Sequence, residues 1–120
     1  MFKRFLGGSD NASRPQSIPS VNPVDAQKLL SRAKEPTALI DVRERWEYAR
    51  GHAKGATNIP LSQLGHRANE VPTDRDVLVI CQSGHRSMQA AKMLQRHGVT
   101  RITNVLGGTS LWHMHNLPME

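Results

Sequence analysis

The sequence predicts an α/β fold: one domain on a mostly parallel central sheet of about five strands, with helices on both faces. Three observations lead there. The runs Thr37–Val42, Asp76–Ile80 and Ile102–Val105 are short, apolar and rich in β-branched residues, as buried strands are. Segments with helical spacing lie between the runs, giving the alternation of βα units. A length of 120 residues supports one core.

Each element has a local reason. Residues 1–20 are Ser, Asn, Pro, Gln and Gly with scattered charge, and are expected to form a flexible arm, leaving 21–120 for the domain. Phe2, Phe5 and Leu6, beside Lys3 and Arg4, read as part of that tail. Val21 belongs to a short leading strand. Asn22-Pro23 opens a helix, with Asn22 as N-cap, Pro23 at the first helical position and Asp25 in the first turn. Ala26, Leu29, Leu30 and Ala33 make one apolar stripe, and Glu35-Pro36 stops the helix. Thr37–Val42 is the second strand, and 43–50 a short helix ended by Gly51. Ala56–Ile59 is the third strand, closed by Pro60. Residues 61–69 read as a helix or irregular turn. Asp76–Ile80 is the central strand, and Ser87–Arg96 a helix ended by Gly98. After the last strand, Gly107-Gly108 makes a turn and Thr109–His115 a short helical piece.

Charge and cysteine usage narrow the function. The chain has 16 Lys and Arg against 10 Asp and Glu, a net charge of +6 and a pI near 10.3. The basic residues are spread along the chain, and two Trp, one Tyr and two Phe offer few stacking platforms, which argues against nucleic acid. A basic surface suits small anions or acidic partners. One cysteine excludes an internal disulfide and any CxxC pair, and a single reactive thiol fits a reducing, cytoplasmic setting. No stretch has the apolar length of a membrane span, and the first residues do not make a secretory signal. The six histidines contain no HExxH or comparable ligand set, so no metal is expected.

That cysteine marks the candidate site. Cys81 ends the buried run Val77–Ile80, and a helix follows within a few residues. A helix N-terminus offers unpaired N–H groups and a partial positive charge. Gly84 lets the loop Gln82-Ser83-Gly84-His85 curl its amides inward as an anion nest, and Arg86 adds a full charge. Such a loop favours the thiolate and stabilises a further anionic group on its sulfur. Ser87 is expected to cap the helix, with its hydroxyl near a bound anion. In open α/β sheets, ligands sit beyond the carboxyl ends of strands, where Cys81, Asp41 and Arg43 all fall.

Other residues admit two readings. Asp41 follows an apolar run, so it either orients an arginine, Arg86 or Arg43, or caps the next helix. Arg43 faces either a substrate anion or solvent. Glu47 and Arg50 read as surface or salt-bridge residues, and His52 as a packed turn residue. Trp112 and Met88, Met93, Met114 and Met119 read as core or edge packing.

Cys81-Gln-Ser-Gly-His-Arg-Ser87 resembles the active-site loop of rhodanese-type sulfurtransferases. Ile40-Asp-Val-Arg43 and Gly51-His-Ala-Lys-Gly-Ala-Thr-Asn-Ile-Pro60 resemble the family's two upstream signatures, and Gly107-Gly108 followed by Trp112 its closing one. The likeness runs from about Val21 to Trp112. Ala53-Lys54 depart from the usual apolar residue and proline, which touches a turn and no chemistry. The resemblance implies a double displacement through a Cys81 persulfide. The donor would be a small anion such as thiosulfate, and the acceptor cyanide, a thiol or a partner protein. Loop amides from Gln82 to Arg86 would hold the terminal sulfur, and Arg86 the donor's oxygens. No cofactor is required. Mercaptopyruvate-type members tend to lack the positive charge of His85-Arg86, which leans this loop towards thiosulfate.

Two rivals come from other classes. A cysteine phosphatase or arsenate reductase of related fold needs a Cys-x5-Arg loop around a tetrahedral oxyanion, whereas four residues separate Cys81 from Arg86 here. A rhodanese-like binding or regulatory module commonly lacks the cysteine, which this chain keeps.

Overall fold

The computed structural model describes residues 17–32 and 34–120; most of the expected arm and Ala33 lie outside the described residues. The strands are β1 (Ser20–Val21), β2 (Ala38–Asp41), β3 (Thr57–Asn58), β4 (Val77–Ile80) and β5 (Ile102–Val105). They form one sheet in the order β1-β5-β4-β2-β3, and every pairing is parallel. The helices are α1 (Pro23–Leu30), α2 (Arg45–Ala49), α3 (Leu64–Arg67), α4 (His85–Arg96) and α5 (Gly108–Met114). Single 3₁₀ turns, Leu61–Gln63 and Ala68–Glu70, flank α3, so the irregular stretch expected at 61–69 is three short turns in succession.

Helix α1 starts as its sequence dictates. Asn22 caps it by accepting from the Asp25 N–H at 2.9 Å, and Pro23 occupies the first turn. Ile18 packs against the core, and the Pro19 carbonyl accepts from the Asn104 N–H, so the sheet edge is held from residue 18 on.

Alternation along the strands divides the core between the two faces. Val77, Val79 and Cys81 pack with Ala90, Ala91 and Leu94 of α4 and Leu64 of α3. Leu78 and Ile80 point the other way, to Ala26 of α1 and Trp112 of α5. Strand β4 is therefore buried on both sides, which is why its sequence is an unbroken apolar run. The register pairs Asp41 at the end of β2 with Ile80 at the end of β4. The chain segments that follow both strands thus leave the same edge of the sheet side by side.

Candidate functional site

Cys81 is the first residue past β4, and its loop turns at once into α4. The turn is possible because Gly84 takes φ +108°, a left-handed value that glycine adopts without a Cβ clash. Its N–H then points back at the Cys81 sulfur, 3.0 Å away. Helix α4 begins at His85, two residues earlier than expected, with Gly84 at the cap position. Ser87 is therefore not the helix cap. It lies in the first turn with its side chain turned into the protein.

The Ser87 hydroxyl is buried and has three polar neighbours. Cys81 Sγ lies 3.3 Å away, the Gly84 carbonyl 3.2 Å away, and Asn104 Oδ1 of β5 closer still. With the thiol protonated, the S–H donates to Ser87 and the single hydroxyl hydrogen serves a carbonyl. With the thiolate, that hydrogen turns to sulfur. Burial pushes the Cys81 thiol up, since the residue is only 1% exposed. Hydrogen bonds from the Ser87 hydroxyl and from the amides of Ser87, Gly84 and Ser83 outweigh that, and the thiol ends below its ordinary value. The sulfur thus lies within an apolar cluster on one side and faces converging donors on the other.

The closing glycine turn supports this loop from behind. Thr109 donates to the Cys81 carbonyl twice, from its N–H at 2.8 Å and its hydroxyl at 2.9 Å. The Ser110 N–H donates to the Gln82 carbonyl. So close an approach requires Gly108: a Cβ there would stand 2.4 Å from the Cys81 carbonyl oxygen.

The two arginines have different partners. Arg43 is 3% exposed, and its guanidinium grips both Asp41 oxygens, the Gly51 carbonyl at 2.8 Å and Gln82 Oε1 at 3.1 Å. Asp41 also accepts from the Arg43 N–H, so of its two readings the structure selects the orientation of Arg43; it does not cap α2. Through Gln82, whose amide nitrogen donates to Ser110 Oγ at 2.8 Å, this pair fixes the first residue of the cysteine loop. Arg86 is held in a fork by Glu47, Nη1 to Oε1 at 2.7 Å and Nη2 to Oε2 at 2.9 Å. The Arg86 guanidinium holds the Glu47 carboxyl down at about 2. Ser83 and His85 are exposed on the loop, with Ser83 Oγ 3.3 Å from His85 Nδ1.

A groove of about 590 Å³ opens beside the loop, lined by Arg43, Glu47, Gln82, Arg50, Trp46 and Met114 among others. Met114 is 73% exposed, so it is not the packing residue the sequence suggests; α5 buries Trp112 and turns Met114 outward. His52 is packed as expected, stacked on Tyr48 at 3.6 Å between ring centres with Nδ1 on the Tyr48 carbonyl. Glu47, Asn104 and Thr109 were not singled out as site residues by their sequence. The signals were a polar residue inside a buried strand for Asn104, and the glycine turn before it for Thr109; nothing in the sequence pairs Glu47 with a residue 39 positions away.

Residues 23–115 match the model of the rhodanese-like domain. The chain belongs to the rhodanese-like domain family. This rhodanese-like domain is 38% identical over 101 residues to a sulfurtransferase of Allochromatium vinosum, covering 82% of the chain and 94% of that protein. It is 31% identical over 97 residues to the thiosulfate sulfurtransferase GlpE of Vibrio cholerae, covering 81% and 91%. A putative sulfur carrier protein of Bacillus subtilis, YrkF, is 34% identical over 114 residues, covering 93% of the chain; the chain spans 61% of that protein's length. Among solved structures, a rhodanese-related protein from Thermoplasma volcanium superimposes with a TM-score of 0.76 at 29% identity, covering 85% of this chain and 97% of that one. The match makes the rhodanese-like domain a member of a transferase family and bears out the resemblance of the four signatures. Among the described residues no helix is long and apolar enough to cross a membrane.

Proposed function

We propose that this domain moves a sulfane sulfur from a thiosulfate-type donor to cyanide or a thiol through a Cys81 persulfide. One observation carries the reading: the Cys81 sulfur sits at the N-terminus of α4 and receives the Gly84 N–H at 3.0 Å. In the first step the Cys81 thiolate attacks the outer sulfur of thiosulfate. The S–S bond of the donor breaks, sulfite leaves with the bonding pair, and Cys81 carries S–S⁻. In the second step cyanide or a thiolate attacks that terminal sulfur and regenerates the Cys81 thiolate. The amides of Ser83, Gly84 and Ser87 stabilise the anion at each stage, and Arg86, paired with Glu47, stands at the loop rim. Arg43 and Asp41 act from behind, through Gln82. The chemistry needs no metal or organic cofactor and suits a reducing, cytoplasmic compartment. A protein thiol as acceptor fits the open groove beside the loop and the likeness to a putative sulfur carrier protein.

Initial rates of thiocyanate formation, with thiosulfate and cyanide varied in turn, test the scheme. Parallel double-reciprocal lines are expected. An intersecting pattern, or turnover of an aryl phosphate in place of thiosulfate, would contradict it. Cys81→Ser abolishes transfer in this scheme and leaves thermal unfolding nearly unchanged.

A further inference from the structure

Arg86 stands where a sulfur donor's oxygens would seek a cation, five residues beyond the nucleophile in the first turn of α4. The guanidinium is already taken. Glu47 of α2 reaches across and holds both terminal nitrogens, at 2.7 and 2.9 Å. The Glu47 carboxylate is fixed from its own side as well, since Oε1 accepts from the Glu44 N–H at 2.9 Å. Its side chain is 13% exposed, whereas Arg86 keeps 36%. Glu47 also lines the groove beside the loop. A carboxylate is thus built against the cysteine loop at Arg86, and it neutralises the charge that would recruit an anion.

We infer that Glu47 is a specificity-determining residue of sulfur transfer: by occupying Arg86 it makes a dianionic donor compete with an internal carboxylate, so the site favours sulfane donors of lower charge. The inference rests on the Cys81 persulfide reading and names the donor class of that same site. Two probes differ mainly in charge. Thiosulfate is a dianion. Methanethiosulfonate is a monoanion with the same outer sulfur on a sulfonyl group. In both, the Cys81 thiolate takes the outer sulfur and the S–S bond breaks. Sulfite leaves in one case and methanesulfinate in the other, each with the bonding pair.

The test is the KM of each donor in the wild type, Glu47→Gln, Arg86→Ala and the double variant, with cyanide as acceptor. Gln keeps the shape and can still accept from the Glu44 N–H, so the fold is retained; circular dichroism checks this. In Glu47→Gln the KM for thiosulfate is expected to fall about fivefold or more, the effect of one charge at contact distance in water. The KM for methanethiosulfonate falls by less, the gain shrinks as salt is raised, and it is absent when Arg86→Ala is combined with Glu47→Gln. An unchanged or higher KM for thiosulfate in Glu47→Gln overturns the inference, as does an equal drop for both donors or a gain that survives in the double variant. Should the wild type take sulfur from neither donor, the persulfide reading falls and the inference with it. Should it take sulfur while Glu47→Gln leaves the donor ratio unmoved, the inference alone falls.

Discussion

Two arginine–carboxylate pairs flank the cysteine loop, one engaged side-on through Nε and Nη2 and the other end-on through Nη1 and Nη2, in very different surroundings. Arg43 and Asp41 are 4% and 0% exposed in their side chains, and Arg86 and Glu47 are 36% and 13%. The inner pair cannot be broken without leaving a charge stranded in the interior, so it acts as structure: it sets the end of β2 and, through Gln82, the start of the loop. The outer pair exchanges with water at little penalty, so its partner choice is free to tune the donor. Position in the fold, more than residue type, separates a strut from a regulator of charge.

Breaking the inner pair gives the largest expected effect. Arg43→Ala leaves Asp41 uncompensated and is predicted to lower stability by about 3–5 kcal/mol in denaturant titration. A change below about 1 kcal/mol would put both pairs in one class. Next in size is Ser87→Ala. The thiolate loses the hydroxyl donor, so the midpoint of its ultraviolet absorbance should rise by about one pH unit. Because the native thiol lies below its ordinary value, the wild type should be alkylated at lower pH than the variant.

The smallest effect belongs to the outer pair. Glu47→Gln is predicted to lose about 1 kcal/mol at neutral pH. This is less than the low Glu47 value alone implies, because water reaches Arg86 and screens the pair. The sign of the pH dependence follows from that value, which drops from an ordinary 4.5 to about 2 on folding. The stabilisation is fully present above about pH 4.5 and is lost as pH falls through about 2, and Glu47→Gln should flatten that part of the stability curve. An acid limb identical in wild type and variant would show that the pair is not formed in solution.

Much of this was legible in the residues. Val77–Ile80 followed by a glycine loop and a helix announces a buried strand with a site at its carboxyl end, and the parallel sheet follows from that alternation. Asn22-Pro23 sets the start of α1 by local chemistry alone. What the residues did not show is non-local. Helix α4 starts directly behind the left-handed Gly84, so Ser87 resembled a cap and is instead a buried donor. The partner of Arg86 lies on another helix, 39 residues away, and only the packing of α2 against the loop brings it near. Asn104 faces Ser87 because β5 pairs with β4, a register that no short-range pattern encodes. Met114 is apolar yet exposed, since a short helix buries one face and its composition does not say which.

The central claim is that Cys81 carries sulfur covalently between donor and acceptor. Intact mass spectrometry of the wild type and Cys81→Ser after incubation with thiosulfate addresses it directly. The wild type is predicted to gain one sulfur atom and to lose it on adding cyanide, while Cys81→Ser gains none. A wild-type mass that does not change, or an equal gain in Cys81→Ser, would contradict the account.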